Sequence, residues 1–182
     1  MAERVMALLR GINVGRAKRV AMADLRQLLA DLGYTDIRTH LNSGNAVFSC
    51  APRAVAGSAK KIQAGIAAEL GVECAVQTRT GPQLAAVVSD NPLLKVVTDP
   101  AKHLVGFLSE APAPKVVTEL QARDFGADQI RVVGTEAYLW CAGGILESPL
   151  SKLAWSKELG VSVTTRNWNT VQKLAELAVP AS

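Results

Sequence analysis

Hydrophobic spacing changes period several times along the chain, and each change marks an element. Arg4 to Leu9 is a short apolar run and predicts a buried strand. Met22, Leu25, Leu28, Leu29 and Leu32 then recur at helical intervals, and Gly33 closes that run as a C-cap. From Asp36 to Leu41 the period falls to two, with Ile37, Thr39 and Leu41 on one face and Arg38 and His40 on the other. Asn42-Ser43-Gly44-Asn45 reads as a turn and Ala46 to Cys50 as the returning strand of a hairpin. Ala59, Ile62, Ile66 and Leu70 mark a second helix ended by Gly71. Glu73 to Arg79 is a further strand, with Cys74, Val76 and Thr78 against Glu73, Ala75 and Gln77.

That order, β-α-β-β-α-β, is the ferredoxin-like arrangement. The second half partly repeats it. A helix over Pro82 to Ser89 is followed by breaks at Asp90-Asn91-Pro92 and Asp99-Pro100, with an apolar connector between them. A strand at His103 to Leu108, a helix at Lys115 to Arg123 and a hairpin of Gln129 to Val133 with Ala137 to Cys141 come next. Ser148-Pro149 then reads as N-cap and N1 of a helix ending at Gly160, and a last helix covers Trp168 to Ala178. The expected fold class is α+β: two ferredoxin-like (βαββαβ-type) subdomains, with antiparallel sheets and helices packed on them. The expected boundaries are 1–80 for the first subdomain, 81–102 for a helix and connector, and 103–182 for the second subdomain with its C-terminal helix.

Composition narrows the partners. In 182 residues, 49% hydrophobic content suffices for one large core or two small ones. A net charge of +4 permits an anionic partner, but the dense basic stripe of a typical nucleic-acid binder is missing. No segment approaches the roughly 18 apolar residues of a membrane span, so no membrane partner is expected. Val5 to Leu9 is too short for a secretory core. Cys50, Cys74 and Cys141 form no C-x-x-C pair and are odd in number, which predicts free buried thiols in the cytoplasm and neither metal nor cofactor. The oligomeric state is left open.

Three polar words interrupt this aliphatic chain: Leu9-Arg10-Gly11-Ile12-Asn13-Val14-Gly15, Asn42 to Asn45, and Thr164-Thr165-Arg166-Asn167-Trp168-Asn169-Thr170. With Asn91-Pro92, Ser151-Lys152-Leu153 and Val171-Gln172-Lys173-Leu174, they resemble the bacterial family called domain of unknown function 1697. The resemblance spans nearly the whole chain and implies two ferredoxin-like subdomains. It carries no activity to transfer. Ala21 stands where the family pattern has proline, and Ala17 where it often has glycine.

In a ferredoxin-like sheet of order four-one-three-two, the end of strand one lies beside the start of strand three. The first two words should therefore be spatial neighbours. Gly11 and Gly15 would let the loop turn and expose backbone N–H groups, and Arg16, Lys18 and Arg19 add positive charge. Neither G-x-x-x-x-G-K-[ST] nor G-x-G-x-x-G is present. Thr165 or Asn167 is a natural N-cap for the last helix, and helix starts favour anions. The expected ligand-binding residues are Arg10, Gly11, Asn13, Asn42, Ser43, Asn45, Lys152, Arg166, Asn167 and Asn169, in one polar cleft for a small anionic ligand. No catalytic residue is assigned. His40 and His103, the two histidines, both sit in strand-like runs, and Pro149 stands where the serine of an S-x-x-K motif would be. A nucleic-acid module contacting the phosphate backbone is an alternative, not favoured because strand one has no aromatic and strand three only Phe48. A protein-interaction or structural role, with asparagines serving turns only, is the other.

Overall fold

The computed structural model describes residues 1–15 and 18–179. Arg16 and Ala17 of the glycine loop lie outside the described residues. The chain divides into two compact units, one of Met1–Ala86 with the stretch that begins at Lys173, the other of Val87–Gln172.

The first unit contains β1 (Glu3–Arg10), α1 (Met22–Asp31), β2 (Thr35–Thr39), β3 (Asn45–Cys50), α2 (Val55–Leu70) and β4 (Ala75–Thr80), followed by most of α3 (Gly81–Ser89). Its four strands lie in the order β2-β3-β1-β4, antiparallel throughout, the order of a ferredoxin-like sheet. Val5, Ala7 and Leu9 of β1 join Ala46 and Phe48 of β3 and meet Leu25, Leu28 and Leu29 of α1 and Ile62 and Ile66 of α2. Met6, Leu8 and Val47, on the opposite face, are buried as well. Burial on both faces is why β1 reads as an unbroken apolar run rather than an alternating one.

Arg4 shares that second face and is only 6% exposed. It donates to the Asp36 carbonyl at 2.9 Å, the Asp36 carboxylate at 2.7 Å, Ser49 Oγ at 3.0 Å and the Leu177 carbonyl at 2.8 Å. One guanidinium thus ties three strands to the end of α6 (Trp168–Ala178).

The second unit repeats the plan with β5 (His103–Leu108), α4 (Pro114–Gln121), β6 (Gln129–Val133), β7 (Glu136–Trp140), α5 (Trp155–Leu159) and β8 (Val163–Asn167). Its sheet order is β6-β7-β5-β8, again antiparallel. Leu108, Ala137, Leu139 and Val163 pack with Leu120 of α4 and Leu159 of α5. The protein is α+β, as expected. Among the described residues no helix is long and apolar enough to cross a membrane.

Four local expectations are corrected. The last helix spans Trp168–Ala178 as expected, but the stretch before it is a strand: Val163–Asn167 form β8, and Thr165 is an exposed strand residue, not an N-cap. Short, β-branched and polar, this segment suits the sheet edge it occupies. The helix expected from Ser148 begins only at Trp155. Ser148 Oγ does accept from Leu150 N at 3.1 Å, as a capping serine would. It also donates to the Asp128 carboxylate, and Ser151 Oγ donates to the Ile145 and Ser148 carbonyls, so side chains stabilise a run of turns instead. Leu41 is not an inward strand residue; it has φ +59° and is exposed in the turn. Finally, β4 starts at Ala75, after Glu73 and Cys74, and Gln77 on its second face is buried rather than solvated.

Candidate functional site

The first two polar words meet as the topology requires. Leu8 pairs with Asn45 in the sheet register, and Leu9 N donates to the Gly44 carbonyl at 2.8 Å. Gly44 has φ +85°, and a Cβ there would fall 2.7 Å from Leu9 Cβ and 2.8 Å from Ile12 Cδ1. Only glycine fits this close approach.

Asn13 joins the two loops. In the left-handed region at φ +54°, it donates through Nδ2 to the Val20 carbonyl at 2.8 Å and the Asn42 carbonyl at 2.7 Å. Its Oδ1 accepts from Val20 N at 2.9 Å, and its backbone N donates to the Lys18 carbonyl at 2.9 Å. Asn45 is buried and donates to the His40 carbonyl at 2.7 Å and Ser43 Oγ at 2.9 Å. These two asparagines, expected to hold a ligand, hold the loops together. Asparagine suits both roles because it tolerates a positive φ and carries a donor and an acceptor on one short stem.

The scaffold they build frames a depression of about 410 Å³ lined by Asn13, Arg19, Val20, Ala21, Met22 and Asn42. Helix α1 starts there. Its N-cap, Ala21, has an extended backbone and makes no side-chain capping bond. The first turn therefore has no side-chain cap at Ala21, the helix start carries a partial positive charge, and Arg19 lines the same depression. Asp24 in that turn offsets part of this charge. A second depression of about 390 Å³ lies at Arg10, Gly11, Lys18, Gln63, Glu73 and Cys74. Ser43 is exposed at the turn. The sequence noted Arg19 only as loop charge; the overlooked signal was Ala21, a residue that cannot cap.

The other expected site residues, Lys152, Arg166, Asn167 and Asn169, belong to the second unit. Lys152 and Asn169 are exposed. Arg166, on β8, is half-buried and donates to the Thr165 carbonyl at 2.8 Å. Burial lowers its pKa to about 10, which leaves it a cation at neutral pH. Asn167 is the N-cap of α6, accepting from Asn169 N at 3.0 Å, and donates to the Ala101 carbonyl at 3.0 Å. Among the described residues no cluster of three His, Cys, Asp or Glu could hold a metal ion. Cys50, Cys74 and Cys141 are free and buried, and desolvation raises each thiol pKa. Phe48, the aromatic that base stacking on the first sheet would need, is fully buried and stacks on Tyr34 at 4.3 Å.

Fold and site together define a two-sheet α+β protein with a cationic depression framed by asparagine-tied loops. The chain belongs to the family described as Protein of unknown function (DUF1697), whose model matches residues 2–138. It is similar in fold to a conserved bacterial protein from Streptococcus pneumoniae, at 21% identity and a TM-score of 0.76 over 98% of this chain and 99% of that one. No curated protein matches it.

Proposed function

We propose that this protein binds a small anionic or phosphorylated molecule in the depression at the start of α1. The observation that carries this reading is the uncapped first turn in a depression that Arg19 also lines, beside loops tied together by Asn13. A carboxylate or phosphate placed there would accept from first-turn N–H groups and from the guanidinium, each bond to a charged partner being worth roughly 1.5–3 kcal/mol. Lys18 adds charge from the neighbouring turn. The chemistry such a depression offers is electrostatic: it holds and polarises an anion.

Thermal-shift titration with inorganic phosphate and pyrophosphate tests the proposal. Wild type should gain stability with ligand concentration, as a ligand bound only to the native state requires. Arg19→Ala should lose most of that gain, whereas Lys152→Ala in the second unit should keep it. Equal gains in wild type and Arg19→Ala would refute the assignment.

A further inference from the structure

The Asn91-Pro92 break, one of the chain's distinctive words, plays no part in the anion site. Its asparagine is only 5% exposed and lies against His103, which is fully buried at the start of β5. His103 Nδ1 is 2.8 Å from the Leu139 carbonyl, and Nε2 is 2.8 Å from Asn91 Nδ2. A carbonyl can only accept, so Nδ1 carries the proton. Asn91 Oδ1 accepts from Leu93 N at 2.9 Å, which fixes the amide with Nδ2 towards the ring. Nε2 is therefore the acceptor, and the imidazole is neutral with its proton on Nδ1.

Leu93, itself 2% exposed, then receives the following turn, accepting from Val96 N at 2.9 Å and Val97 N at 3.1 Å. The connector between α3 and β5 thus starts on the lone pair of one buried histidine. Among the described residues, no carboxylate hydrogen-bonds either ring nitrogen. Tyr138, with centroids 6.5 Å apart, is neutral, its pKa raised to about 12 by burial and by Glu136 and Asp90. Trp168 of α6 covers the ring at 5.0 Å. Lys102 donates to the Ala142 carbonyl and Asp99 accepts from Ala101 N, both turned to backbone partners of their own.

We propose that Asn91 and His103 form a proton-sensitive latch on the connector. When Nε2 takes a proton, its N–H faces the N–H groups of Asn91 Nδ2. Rotating the amide by half a turn would satisfy the ring but set Nδ2 against Leu93 N, donor against donor. In either arrangement one buried donor loses its acceptor, so protonation loosens the turn that begins at Leu93. Desolvation, which outweighs the bond to Leu139, holds the His103 pKa below its usual value, so the latch stays closed near neutrality and opens in acid.

Nuclear magnetic resonance on the full chain tests this directly. At neutral pH the His103 ring should be the Nδ1–H tautomer. As pH falls through the His103 midpoint, protection of the Leu93, Val96 and Val97 amides against exchange should drop about tenfold, the scale of one lost buried hydrogen bond. Asn91→Asp puts a carboxylate where both donors can be met, and should raise the His103 midpoint and abolish the acid-dependent loss. An Nε2–H tautomer, unchanged protection across the midpoint, protection lost uniformly throughout the second unit, or a midpoint not raised by Asn91→Asp would each overturn the latch.

Discussion

Replacing Gly44 by alanine probes the joint on which the candidate site is built. Two costs apply. An L-residue at φ +85° pays the left-handed penalty, about 1–2 kcal/mol. The new methyl also lies 2.7 Å from Leu9 Cβ and 2.8 Å from Ile12 Cδ1, both buried, and crowding a packed core adds about 1–3 kcal/mol. The total is roughly 2–5 kcal/mol. With a urea slope near 2 kcal/mol/M, the midpoint of unfolding should fall by about 1–2.5 M. Gly11→Ala is the internal control. It has a similar φ, +76°, but no atom of the described residues lies within 4 Å of the added Cβ, so the conformational penalty of about 1–2 kcal/mol is the cost expected. Urea titration followed by far-ultraviolet circular dichroism on both variants separates the two costs. If Gly44→Ala loses no more stability than Gly11→Ala, the loops are not packed as described.

Arg4→Leu should cost roughly 1–3 kcal/mol, because the Leu177 carbonyl and Ser49 Oγ lose their donor while the half-exposed Asp36 keeps Arg38 at 3.5 Å; Arg4→Lys should recover only part, since one ammonium cannot span the fork, and urea unfolding reads both. Tyr34→Phe removes a buried hydroxyl that has no hydrogen-bond partner among the described residues while keeping the stack on Phe48, so thermal unfolding should show a neutral or slightly stabilising change, within about 1 kcal/mol. His103 is neutral in the fold with a lowered pKa, so the unfolded chain takes the proton first as pH falls. Its contribution is full above the unfolded value of about 6.5 and is lost between there and the lower folded value; His103→Gln should flatten that limb in a urea series run at several pH values.

Topology was the most legible level. Period changes and glycine stops mark β1, α1, β3, α2 and the hairpin of β6 and β7, and strand order then brings Leu9 beside Gly44 before any side chain is placed. Segments whose side chains compete with the backbone were less legible. Val163–Asn167 is polar enough to read as a helix approach yet pairs at a sheet edge, where solvent meets one side. Ser148 has a capping bond without a helix, because Asp128 and the Ile145 carbonyl draw the serines into turns. The asparagines were recognised as unusual, as ligand contacts or as turn residues, but the particular tie that Asn13 makes was not. The partners of Asn13 are carbonyls of Val20 and Asn42, and backbone acceptors leave no trace in residue identity. The bland signal at Ala21 mattered more: a missing cap is visible in sequence only once the helix start is fixed.

Chemical-shift mapping with inorganic phosphate tests the central claim, anion binding at the start of α1, most directly. Saturable shifts should centre on the amides of Ala21, Met22, Ala23 and Asn42 and vanish in Arg19→Ala, while amides around Lys152 stay still. Shifts that fail to saturate, spread evenly over the exposed cations, or persist unchanged in Arg19→Ala would contradict the proposed site.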